Sequence, residues 1–194
     1  SRGGVAYISS SDNVSISECT MTGNTAASYG GVASISSSGD VVISECNMTE
    51  NTAPDGGVAY ISDSDDVSIS ECTMTGNTAT GYGGVAFIYY SDDVSISECT
   101  MTGNTAASVG GVAFIYYSGV VVISECTMTE NTASYGGVAF ISDSDDVSIS
   151  ECTMTGNTAA SSSGGVAYIE SSGNVLISEC TLTGNTASGV GCAL

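Results

Sequence analysis

A unit of 26–28 residues recurs along the whole chain, and internal repetition of that period constrains a fold more than any other sequence feature. Gly-Gly pairs begin at Gly3, Gly30, Gly56, Gly83, Gly110, Gly136 and Gly164. Sixteen residues after the first glycine of each pair stands a cysteine: Cys19, Cys46, Cys72, Cys99, Cys126, Cys152 and Cys180. All variation in period falls between Asn24, Asn51, Asn77, Asn104, Asn131 or Asn157 and the next Gly-Gly. Stacked parts keep a constant length while loops absorb insertions.

Each unit contains three extended pieces, typified by Val5–Ser9, Val14–Ser17 and Cys19–Thr22. Apolar and polar residues alternate within each, as in strands with one buried face. The inward phase passes from the even positions Val14 and Ile16 to the odd positions Cys19 and Met21, which places a corner at Ser17-Glu18. No helical period is present. Three short strands per unit of about 27 residues predict an all-β right-handed parallel β-helix, seven coils in one domain over 1–194. The core is expected to be ladders of Ile8 and its equivalents, of Val, Cys and Met, with an inward Asn ladder at a bend.

Composition narrows the partners. Arg2 is the sole basic residue among 21 acidic ones, and the net charge is −20. Nucleic acid and anionic membranes are therefore excluded as partners. High charge can signal disorder, but 42% of the residues are hydrophobic and strictly patterned, so the chain folds. No apolar run reaches the roughly 20 residues of a membrane helix. His and Lys are absent, and no single Ser, Cys or acid stands apart from the repeat. Catalysis is not expected, because an active site needs a locally distinct constellation.

The Gly-Gly-Val-Ala motif followed by Met21-Thr22-Gly23-Asn24 resembles the repeats of the chlamydial polymorphic outer membrane proteins, which carry Gly-Gly-Ala-type and Phe-x-x-Asn motifs. The resemblance covers nearly the whole chain and implies a β-helix with an adhesive or structural role at a cell surface. Met, or Leu182 in the last unit, stands where that family has Phe.

Two outward faces follow from the strand phases. Thr-x-Thr pairs occur in six of seven third strands: Thr20/Thr22, Thr73/Thr75, Thr100/Thr102, Thr127/Thr129, Thr153/Thr155 and Thr181/Thr183. The second unit has Asn47/Thr49. Both members of each pair are expected to point outward. Such a lattice is similar to the ice-binding face of insect β-helical antifreeze proteins, though Thr is also an ordinary choice for an exposed strand. In the first strand, Ala6 and Ile8 are expected to point inward and Val5, Tyr7 and Ser9 outward. That gives an apolar stripe of a Val column with Tyr7, Tyr60, Phe87, Phe114, Phe140 and Tyr168, extended by Tyr89 and Tyr116. It predicts lateral self-association or sugar stacking.

The ends read as uncapped, with Ala187–Leu194 entering an eighth coil. Arg2, Cys192 and Leu194 are the expected end-to-end contacts, and Cys192 is a candidate intersubunit crosslink. The seven remaining cysteines are expected as a buried, mainly reduced ladder. Glu18 and its equivalents, with Asp65/Asp66, Asp92/Asp93 and Asp145/Asp146, stack like charges. Calcium is the one ion such turns would suit, and solvated carboxylates are the preferred reading. No cofactor or resident metal is expected. Asn13 and Asn47 lie in glycosylation sequons. The chain reads as a non-enzymatic extracellular structural protein, a head-to-tail filament or surface-layer subunit. Ice binding is the alternative, and carbohydrate adhesion the third reading.

Overall fold

The computed structural model describes residues 1–161 and 163–189 and is a parallel β-solenoid of seven coils. Coil four shows the plan. Its strands are Ala86–Tyr89, Asp93–Ser97, Thr100–Thr102 and a two-residue strand, Thr105–Ala106. Each pairs in parallel with its equivalents in coils three and five, and like residues lie opposite each other: Ile88 against Ile61 and Ile115, Met101 against Met74 and Met128. The first three strands form seven-stranded sheets and the fourth a six-stranded one. The three anticipated strands are all present. The short fourth adds an inward Ala column, with Ala79, Ala106 and Ala133 as a small separate cluster.

Four corners per coil turn the chain. Among the described residues, sixteen non-glycine and twelve glycine residues have positive φ, and they fall into four columns of seven. One is the first glycine of each pair, another the Glu98 column at the expected corner. A third runs Ser10, Ser37, Asp63, Tyr90, Tyr117, Asp143, Ser171, and the last runs Gly23, Glu50, Gly76, Gly103, Glu130, Gly156, Gly184. A non-glycine residue in this region costs roughly 1–2 kcal/mol. The coils hold it there by hydrogen bonds between equivalent corners, such as Glu98 N to Ser124 O at 3.1 Å and Tyr90 N to Tyr116 O at 3.1 Å.

The Gly-Gly pair has two separate causes. A Cβ on Gly83, at φ +62°, would strike the carbonyl of Ala86 in its own coil. A Cβ on Gly84 would strike the carbonyl of Gly111 in the next coil. The first glycine serves the turn and the second the coil spacing.

One expectation is corrected. The Val column beside the Gly-Gly pairs points inward: Val32, Val58, Val85, Val112 and Val138 are buried and belong to the main core. Val85 N and Ala86 N both donate to Val112 O, at 2.8 and 3.0 Å. Two donors on one acceptor make a bulge, which turns two successive side chains to the same side. Alternation resumes after it, with Ala86 and Ile88 buried and Phe87 half-buried outside.

The Asn ladder forms inside as expected. Asn104 donates from its backbone N and Nδ2 to Asn131 Oδ1 at 2.9 and 3.0 Å, and from Nδ2 to Met74 O at 3.0 Å. The same three bonds recur in coils two to six, so each buried amide is satisfied by the coils on either side.

Candidate binding faces

The third-strand sheet carries the Thr pairs in register, with the Met between them fully buried in coils two to six. The register runs unbroken from Thr20 through Thr181 and from Thr22 through Thr183, with Asn47 the one departure in the first column. The hydroxyl columns repeat at about 4.8 Å along the axis and stand about 7 Å apart across each strand. The two columns differ in exposure, and this corrects the expectation of two equally open rows. Thr73, Thr100, Thr127 and Thr153 are exposed, whereas their partners Thr75, Thr102, Thr129 and Thr155 are half-buried, as is Thr49. Each of these four partners stands immediately before a left-handed corner, at Gly76, Gly103, Glu130 or Gly156. Thr22 and Thr183, at the same position in the end coils, are exposed. The cover on the inner members therefore comes from the coils stacked on either side. The face is one open Thr column beside one recessed column.

Thr25, Thr52, Thr78, Thr105, Thr132, Thr158 and Thr186 form a further column round the next corner. Sequence reasoning missed it, although Asn-Thr-Ala recurs in every unit.

The aromatic stripe lies on the first-strand sheet. Tyr60, Phe87, Phe114, Phe140 and Tyr168 stack along the axis with centroid separations of 4.9, 4.9, 5.5 and 5.0 Å. Tyr7 stands outside that stack because Ser34 occupies its column in coil two. It meets Arg2 instead, whose Nη1 donates to the Tyr7 hydroxyl at 3.2 Å and whose hydrogen bond holds that phenol below its usual range. Tyr29 fills the gap and packs on Tyr60 at 4.5 Å. Tyr82 and Tyr135 join the stripe from the segment before Gly-Gly. These three rings were not anticipated, since that segment varies in length and shows no alternation.

Coils four and five carry two further stacks. Tyr89 lies on Tyr116 at 5.6 Å and 11°, and Tyr90 on Tyr117 at 5.0 Å and 9°. Within each coil the two rings meet at 4.1 Å, tilted by 54° and 52°. Tyr90 and Tyr117 are 48% and 42% exposed, large for rings on a protein surface. Hydrogen bonding to Tyr90 and Tyr117 pushes the Tyr89 and Tyr116 phenols up to about 12. Both are therefore neutral near pH 7.

Behind this cluster, Ser91 and Ser118 hydroxyls are buried without a partner. Their equivalents Ser64 and Ser144 donate to the carbonyls of Ser62 and Ser142 at 3.3 Å. The satisfied pattern fails in the two coils where Tyr replaces those serines.

The acids sit at corners. Glu98 and its column are exposed. A groove of about 670 Å³ along coils one to three is lined by Asp12, Asp40, Asp63 and Asp65 with serines between. Among the described residues no three Asp, Glu, Cys or His side chains converge to hold a metal ion. The seven described cysteines are free thiols in one inward column. Burial pushes Cys46 up, and Cys99 is raised by the neighbouring Cys126 and Cys72 thiols and by burial. Cys192 and Leu194 lie outside the described residues, so of the end-to-end contacts only Arg2 is placed.

The described end coils leave core columns uncovered. Val5 is 58% exposed where Val85 is 2%, and Val175 is 47% exposed where Val94 is 2%.

A family model described as the right-handed β-helix region matches residues 1–153 and 57–194. No curated protein and no solved structure matches the chain. The two matched stretches together cover every coil, and the chain belongs to the right-handed β-helix family.

Proposed function

We propose that the chain is a non-enzymatic structural protein of the cell exterior whose coils stack end to end into a filament or surface layer. The observation that carries this reading is the unbroken parallel register of like residues from coil to coil. Each coil presents the surface on which the next one sits, apolar inside and edged by unpaired strand groups. Such surfaces are covered in β-helices. A second copy supplies that cover as a heterologous contact, which propagates rather than closes. The likeness of the repeats to chlamydial surface proteins supports the outside of a cell as the place. Sedimentation velocity and negative-stain imaging test it. The expected result is rods longer than the roughly 34 Å of seven coils, growing with concentration. Monomers alone at high concentration reject the filament.

A second reading, ice binding, is favoured by one specific observation: paired Thr columns, one open and one recessed, held in register on a sheet pinned by buried Met. Rigid hydroxyl and methyl rows order water at a fixed pitch. Thermal hysteresis at millimolar protein is the expected signature. Thr100→Lys, which puts a long charged chain in the open column, should abolish most of it. No hysteresis from the unaltered chain rejects this reading.

A further inference from the structure

The four-tyrosine cluster breaks the repeat on the outside without serving the inside. The first-strand column runs Ser36, Ser62, Tyr89, Tyr116, Ser142, Glu170. The corner column beside it runs Ser37, Asp63, Tyr90, Tyr117, Asp143, Ser171. Tyr89 and Tyr90 stack on Tyr116 and Tyr117, so those faces are used. Toward coil three the two columns continue as Ser62 and Asp63, and toward coil six as Ser142 and Asp143, whose carboxylate accepts from Ser142 Oγ at 2.7 Å. Tyr89 also lies near Phe87 and Tyr116 near Phe114, at 6.2 and 5.9 Å between centroids. The stack of exposed rings is thus flanked along the axis by a corner carboxylate on either side. Asp143 adds by its charge to the rise of the Tyr116 phenol.

A ring face and a carboxylate attract the same ligand. The π-cloud of Tyr holds a guanidinium or ammonium group within about 6 Å of its centroid, and the carboxylate completes the pair. The whole chain, at −20, draws cations toward it. Asp63 and Asp143 are three coil steps apart, about 14 Å at the parallel-strand spacing. An extended chain covers that distance in four residues, at about 3.3 Å each.

We propose that Tyr89, Tyr90, Tyr116 and Tyr117, with Asp63 and Asp143, form a docking site for an extended basic segment of a partner protein that presents two arginines four residues apart. The site is independent of end-to-end stacking, since it lies on the side of the middle coils.

The test uses the full chain and a seven-residue peptide, acetylated Gly-Arg-Gly-Ser-Gly-Arg-Gly amide, followed by titration of the tyrosine ring NMR signals at 0.15 M salt. The decisive variant restores the corner of the neighbouring coils: Tyr89→Ser, Tyr90→Asp, Tyr116→Ser and Tyr117→Asp together. It copies a sequence the fold already holds at Ser142-Asp143 and adds two negative charges. If attraction to a polyanion were the whole effect, this variant would bind tighter. The site predicts binding about tenfold weaker. A second pair guards against misfolding of the first: Asp63→Asn with Asp143→Asn should weaken binding severalfold, whereas Glu98→Gln with Glu125→Gln, equal in charge, should leave it unchanged. Equal or tighter binding by the Ser-Asp variant overturns the proposal. So does equal weakening by the two charge-matched pairs, or tyrosine-dependent binding of neutral oligosaccharide without binding of the peptide.

Discussion

The Asn104 column and the Tyr90 column obey opposite rules, although both stack one residue per coil in perfect register. In the first, all seven positions are Asn, and those of coils two to six are fully buried and triply bonded to the coils on either side. In the second, the residue is Ser, Asp or Tyr, while φ stays within 50–54°. The Asn side chain holds the coil. The Tyr90 side chain does not, because backbone bonds to the neighbouring coil, as from Asp63 N to Tyr89 O at 3.0 Å and Tyr117 N to Ser142 O at 3.2 Å, already hold it. Where the backbone is over-determined by its neighbours, even a bulky residue is tolerated in left-handed geometry, and the side chain is released for other work.

The comparison breaks most visibly at Asn104→Leu. The change keeps the branched outline of the side chain but removes the acceptor of Asn77 N and Nδ2 and the donor to Met74 O. Buried groups left unpaired cost about 1–3 kcal/mol each, so urea unfolding should show a loss of about 4 kcal/mol. A loss below about 1 kcal/mol would mean the ladder is not what ties the coils.

A sharper contrast comes from titration. Tyr89 owes its rise to about 12 first to Tyr90. In Tyr90→Phe its ionisation should move down from about 12 toward 10.0, while burial still holds it above that value, seen as phenolate absorbance. Because the folded chain holds those protons more tightly than the unfolded one, the contribution is complete below about pH 10 and declines as pH rises toward 12. Stability rising over that window would contradict the hydrogen bond.

Tyr90→Gly tests the tolerated strain directly. Relief of left-handed geometry should add about 1 kcal/mol in a thermal or urea melt, with binding of the basic peptide reduced. Destabilisation would show that ring stacking outweighs the strain. The smallest effect is expected at the serines behind the corner. Ser64→Ala should cost about 1 kcal/mol, as a bonded hydroxyl is lost, while Ser91→Ala should be neutral or slightly stabilising.

The columns that serve the coil were legible in the sequence. Ile88, Met101, Cys99 and Asn104 recur at fixed spacing and alternate with polar residues, so period and phase together placed them. The Val85 column was misplaced because a bulge puts two neighbours on one side, which alternation cannot encode. Alternation likewise assigns Thr100 and Thr102 to one face but is blind to the corner that recesses Thr102, Thr75, Thr129 and Thr155. The fourth strand, Thr105–Ala106, is too short to have a period. Tyr82 and Tyr135 enter the stripe from the segment of variable length, where register is set by stacking and not by sequence spacing. The Tyr cluster was visible as residues, but the way its rings stack between two corner carboxylates is a property of the assembled coils.

The fixed rise between coils makes every outward column a graduated scale. Any chemical group repeated in successive units is displayed at multiples of one length, about 4.8 Å, whatever the group is. A partner that carries its own regular spacing, such as a crystal plane or a polymer, is then measured against that scale, and a mismatch accumulates with each added coil. Lengthening the solenoid therefore improves discrimination between periodic partners faster than it adds contact area.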